Sequence, residues 1–160
     1  MGSYTQEGRL FRVDTPLGPD VLLFSGLLGE EGISRLFRFD LELLADRIDS
    51  SKVVFEELLG QSITIHFVLP NELERHLNGI CRRFSQGEED EHFRTYRMEV
   101  VPKAWLLTKR RNSRIFQQKT VPEILKEVLK GIQVRFELQG RFEPRDYCVQ
   151  YRESDLDFAS

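Results

Sequence analysis

The sequence predicts a mainly β domain, a small barrel or sandwich of curved antiparallel strands with one amphipathic helix appended. Three observations carry that expectation. Apolar residues recur at every second position in several separate runs, as in Phe37, Phe39, Leu41 and Leu43. Glycine, proline and acidic turn residues interrupt those runs at short intervals, the punctuation of an all-β chain. A helical spacing of three and four is sustained only once, between Thr120 and Gly131.

Taken in order, Phe11 and Val13 begin a short strand that Pro16, Gly18 and Pro19 close. The apolar run Val21–Leu28 is broken by Ser25 and Gly26, which suits a strand with a local bend. Gly29 to Gly32 make a turn, and Phe37 to Leu43 then face one way while Arg38, Asp40 and Glu42 face the other. Val54 to Gly60 reads as a single helical turn with Gly60 as its left-handed stop. Ile63, Ile65, Phe67 and Leu69 alternate until Pro70 and Asn71, and the next strand, about Arg75 to Phe84, is expected to kink at Gly79. Tyr96, Met98 and Val100 give another strand, and Trp105, Leu106 and Leu107 follow as a buried anchor.

The helix has its own signals. Thr120 and Glu123 form a capping box, Pro122 sits in the first turn, and Gly131 ends the segment. Val134, Phe136 and Leu138 then predict a strand. Tyr147, Val149 and Tyr151 predict a last one with an aromatic and aliphatic face, and Ser154 with Asp157 signals a new helix. About one turn of it is present, too short to persist alone in water. The expectation is therefore that the chain is a piece of a longer one, with nothing in it to hold that turn.

Composition bounds the function. The 160 residues are 40% hydrophobic and 31% charged with a net charge of −3, as in soluble globular proteins and unlike most nucleic-acid binders. No apolar run approaches the roughly 20 residues of a membrane span, and the opening MGSYTQEGRL carries no secretory signal, so assembly in the cytoplasm is expected. Cys81 and Cys148 read as small hydrophobes rather than a disulfide. The acidic run Glu88–Glu91 and the basic run Lys109, Arg110, Arg111 and Arg114 read first as solvated faces, with a partner-docking patch as the alternative.

No constellation for chemistry is found. His66, His76 and His92 are far apart along the chain and no second Cys or His pair completes a zinc site, so neither metal nor cofactor is expected. Glu153, Asp155 and Asp157 suit the positive end of a helix. Trp105 beside the basic run could serve as a stacking platform in a nucleic-acid-binding β-barrel, the least favoured alternative.

The stretches GPDVLL (18–23), SRLFRF (34–39), ELLG (57–60), PKAWLL (102–107), SRIFQQKTVPEILKEVL (113–129) and YCVQYRESDLDF (147–158) fall in an order that resembles the N-terminal region of the VgrG family, the spike proteins of type VI secretion systems. Trp105, Phe116, Pro122, Tyr147, Gln150, Tyr151, Glu153, Ser154, Asp155 and Phe158 carry the likeness. The resemblance implies a β-barrel-like phage tail hub module over 1–112, a linking helix and following strand over 113–146, and the start of the next α+β hub module over 147–160. It further implies a homotrimer that docks on the hexameric rings of the tube protein Hcp. Its baseplate contacts and its PAAR-repeat tip or effector belong to the intact protein, which is expelled by contractile injection. Arg110, Arg111 and Arg114 are the candidate partner contacts. The resemblance implies no catalytic role for this region, although some members carry an enzymatic C-terminal extension. A baseplate hub of a phage or phage-like particle is the nearest alternative.

Overall fold

The computed structural model describes residues 4–70 and 73–160, so the part of the turn expected at Asn71 lies outside the described residues. The chain forms two compact units, Met1–Pro102 and Lys103–Ser160.

In the first unit six strands form one antiparallel sheet: β1 (Phe11–Asp14), β2 (Leu23–Glu30), β3 (Arg38–Asp46), β4 (Ser62–Val68), β5 (Glu74–Glu89) and β6 (Phe93–Val101), in the order β1-β4-β5-β6-β3-β2. Period-two patterning places the core. Phe39, Leu41, Leu43 and Ala45 of β3 are buried together with Ile63 and Ile65 of β4, Leu77 and Phe84 of β5, and Tyr96, Met98 and Val100 of β6. The intervening residues point outward.

The sheet curls until its outermost strands meet. Phe11 of β1 and Phe24 of β2 stack with ring centroids 5.6 Å apart. Between them the buried Gln6 side chain acts as a peptide surrogate: its Oε1 accepts from the Val13 N–H (3.0 Å) and the Phe24 N–H (3.1 Å), and its Nε2 donates to the Val13 carbonyl (3.2 Å). An edge that would expose unpaired backbone groups is thereby satisfied.

Bulges supply the curvature. The predicted bend in β2 is a register shift between Phe24 and Gly26. Gly79, however, pairs regularly with Ile63, and the irregularities in β5 fall between Cys81 and Arg83 and between Gln86 and Glu89. Glycine is needed at 79 for another reason: a Cβ there would lie 2.6 Å from the Val101 carbonyl oxygen. The Val54–Gly60 segment is the expected single turn, with Gly60 at φ +75° and Leu58 fully buried. The turn expected at Gly29–Gly32 comes later, because β2 runs on to Glu30.

The second unit contains a 3-10 segment (Lys103–Lys109), β7 (Arg111–Lys119), α1 (Val121–Val128), β8 (Arg145–Ser154) and α2 (Asp155–Ala159). β7 and β8 pair as an antiparallel ribbon. The Thr120–Glu123 capping box starts α1 as predicted, and α1 buries Ile124 and Val128 against Phe116, with Cys148 and Phe158 packed alongside.

The compact units divide at Pro102, and within the second unit β8 pairs with β7 while Phe158 of α2 packs beside Phe116. Two expectations change in this unit. Residues 134–138 form no strand: the sheet of this unit holds β7 and β8 alone, and that segment joins neither of its edges. In the 3-10 segment Leu107 is the buried anchor, Trp105 is half-buried and Leu106 is exposed.

Candidate functional site

The β7–β8 ribbon has two faces of opposite character. Register pairs Phe116 with Cys148 and Arg114 with Gln150, and this face is the one covered by α1 and α2. The other face carries Ile115 opposite Val149, flanked by Tyr147 and Tyr151, and these side chains are about half to two-thirds exposed. The apolar alternation in β8 was thus legible, but it points outward while the amide Gln150 is completely buried. Monomers seldom leave a contiguous aromatic and aliphatic strip open without a use for it.

A buried ion fixes that orientation. Asp155, at the start of α2, is 1% exposed, and its Oδ1 accepts from Arg114 (2.6 Å), Asn112 (3.0 Å) and Gln150 (3.0 Å) while its Oδ2 meets Arg110 Nε at 2.9 Å. Gln150 in turn accepts from Arg114 Nε at 2.8 Å. Burial alone would raise the Asp155 carboxyl; the hydrogen bonds from Gln150 and Asn112, with the charges of Arg114 and Arg110, outweigh it and hold the pKa below the ordinary carboxylate value. Arg110 also donates to the Val128 (2.6 Å) and Lys130 (3.1 Å) carbonyls at the end of α1, where a cation complements the helix dipole. One carboxylate therefore ties together β7, β8, α1 and the start of α2.

This network answers what holds the final turn. Ser154 caps it through the Asp157 N–H (3.1 Å), Phe158 stacks on Phe116 at 5.7 Å, and the Asp155 N–H donates to the Arg110 carbonyl at 2.8 Å. The expectation that nothing in the chain would hold α2 is corrected by these contacts. The strand reaches the helix through a bulge opposite Asn112 and Arg114, with Arg152 at φ +49° and the Tyr151 N–H donating to the Glu153 carboxylate at 3.3 Å.

The structure places the singled-out residues accordingly. Phe116, Gln150, Ser154, Asp155 and Phe158 form or flank the buried network, Pro122 is buried in the first turn of α1, and Tyr147 and Tyr151 stand on the open face. Of the three candidate contact arginines, Arg110 and Arg114 are engaged with Asp155 and Arg111 is exposed. Lys109 lies over the Trp105 ring with its Nζ 4.9 Å from the centroid, so that cation is turned onto the ring that a stacking platform would offer to a base. The sequence marks Asp155 as an acid at a helix start and as part of the family likeness, but not as the centre of an ion network. The available signal was Asn112, Arg114 and Phe116 sharing one strand face, polar and apolar mixed, opposite Gln150.

Comparison with known proteins places this arrangement. Residues 30–160 match the family model described as phage tail baseplate hub (GPD). The chain is 38% identical over 160 residues to the type VI secretion system spike protein VgrG1c of Pseudomonas aeruginosa, covering 98% of this chain and 22% of that protein. With VgrG1a of the same organism it shares 39% over 155 residues, 95% of this chain and 24% of the relative. The chain thus spans less than a quarter of these relatives. Among solved structures, the E. coli c3393 protein, described as a type VI secretion component structurally similar to T4 bacteriophage tail proteins gp27 and gp5, superposes with a TM-score of 0.67 at 27% identity, covering 86% of this chain and 41% of that one.

Proposed function

The chain belongs to the phage tail baseplate hub family, with the VgrG-type sequence of its N-terminal region, and from that premise we propose that it trimerises within an intact spike protein and seats that spike on the hexameric Hcp tube. A structural spike or hub role is common to the relatives it matches. The observation that carries the finer reading is the open face of Ile115, Tyr147, Val149 and Tyr151: a ribbon held rigid from behind by a buried ion and apolar in front is built to be covered by more protein. That cover is a neighbouring hub module or subunit. Arg111, exposed beside the face, contributes to the partner contact, whereas Arg110 and Arg114 position the ribbon. On this reading the region has no catalytic role, is assembled in the bacterial cytoplasm, and leaves by contractile injection with the baseplate and tip partners of the intact protein. A phage or phage-like particle is the second setting, favoured by the family description itself.

The test uses the intact spike protein. Tyr147→Ser, Val149→Ser and Tyr151→Ser together are expected to abolish the trimer in analytical ultracentrifugation while far-UV circular dichroism stays that of the wild type, and Arg111→Glu is expected to weaken Hcp capture. A triple variant that still sediments as a wild-type trimer would overturn the reading.

A further inference from the structure

The outer surface of the β1–β4–β5 part of the sheet gathers histidines that the sequence keeps apart. Because Val13, Ile65 and Leu77 turn into the core, their neighbours Arg12, Asp14, His66, Glu74 and His76 all stand on the opposite face. Register then sets Arg12 beside His66 and His66 directly opposite His76, with Glu74 two residues before His76 on the same side. Chain separation, the ground for expecting no metal at these histidines, does not survive the pairing of β4 with β5.

The local chemistry is that of a ligand set. The two Nδ1 atoms are 2.9 Å apart, and one donor atom from each of His66, His76 and Glu74 lies within 4.8 Å of the others. Asp14 Oδ2 sits 2.6 Å from His66 Nε2, an arrangement that suits the tautomer with its proton on that nitrogen and its Nδ1 lone pair toward His76. A carboxylate behind the remote nitrogen is the usual support of a metal-binding imidazole. Glu74 gives one oxygen to Arg12 at 2.8 Å and keeps the other, 3.6 Å from His76 Nε2, for a second partner. The ligands of a tetrahedral zinc ion lie about 3.3 Å apart, so the rings need to open by only a few tenths of an ångström and the Glu74 side chain to swing inward.

We infer that this face binds one divalent transition-metal ion of the zinc class through His66 Nδ1, His76 Nδ1 and a Glu74 carboxylate oxygen, with solvent at the remaining position. Two imidazoles select zinc, copper, nickel or cobalt over magnesium and calcium. His76 transfers its proton from Nδ1 to Nε2 on binding, so no net proton is released. Two carboxylates against one guanidinium leave the surroundings with one negative charge to offset the cation. The ion would clamp β4 to β5 and, through Asp14, β1 to both.

Zinc(II) and cobalt(II) titrations of the untagged 160-residue chain test this. Calorimetry is expected to show one equivalent bound near neutral pH, weakened at least tenfold by His66→Gln and by His76→Gln and unchanged by Cys148→Ser, and the cobalt spectrum to lack thiolate charge-transfer bands. Excess zinc should raise the melting temperature of the wild type but not of the double-histidine variant, whose metal-free melting temperature stays near that of the wild type. No saturable binding, or binding equal in the double variant, would overturn the site.

Discussion

The two units satisfy their backbones and bury their side chains by different means. Met1–Pro102 is held by hydrocarbon: a curled sheet packs Leu41, Leu43, Ile63, Ile65 and Val100 in full burial, while the opposite face of its central strands carries mainly polar side chains such as Asp40, Glu42, Thr64, His66 and Arg97. Lys103–Ser160 has a small buried apolar cluster of Phe116, Ile124 and Val128 with Leu107 buried as well, holds a buried carboxylate, and turns aromatic residues outward. Apolar contact is undirected and tolerates small shifts, whereas a carboxylate held by four donors fixes where each donor must sit. The first unit therefore has the means to stand alone. The second is a small frame whose ion holds a ribbon in a set orientation, with one apolar face left open.

Cutting the frame at its ion should break the contrast most sharply. Asp155→Ala leaves Arg110, Arg114 and Gln150 without their acceptor and is expected to destabilise the second unit by about 3 kcal/mol, as loss of one member of a buried pair does. Trp105, the one tryptophan and a member of this unit, reports that loss by fluorescence during urea unfolding, while amide exchange in β3 to β6 should hardly move. Acid should act in the same direction. Because the folded carboxyl lies below its unfolded value of about 3.9, its contribution is complete above that value and fades as pH falls through the folded one. The Trp105 signal should thus be flat from neutral pH to about pH 5 and fail below about pH 4, in the wild type but not in Asp155→Ala.

A smaller loss is expected where the first unit departs from its own rule. Gln6→Ala strips the Val13 and Phe24 backbone groups of their partner and should cost about 2 kcal/mol, with faster exchange of those two amides. Equal protection in the variant would mean the edges of β1 and β2 find each other without the side chain. Least of all, Thr120→Ala removes one half of the α1 capping box and should cost about 1 kcal/mol, read as a lower urea midpoint with unchanged slope.

How much of this was legible in the sequence follows from the range of the signals. The alternation of Phe39, Leu41 and Leu43, the bend at Ser25 and Gly26, the stop at Gly60 and the capping box at Thr120 are local patterns written in neighbouring residues, and the structure places each where the pattern put it. The strand expected at Val134–Leu138 failed because alternation states a preference while a strand also needs a ladder partner, and that segment joins neither β7 nor β8.

By itself the sequence determined which segments alternate, where turns and caps fall, and which family the chain resembles, since these depend on backbone propensities and side-chain spacing over a few residues. Only the tertiary structure decided that Gln150 is inside and Tyr151 outside, that Asp155 is the centre of an ion network, that Gln6 closes a sheet, and that His66 faces His76. Each of these joins groups from different strands or segments. Alternation says that a strand has two faces but not which one will be covered, and that choice belongs to whatever packs against it.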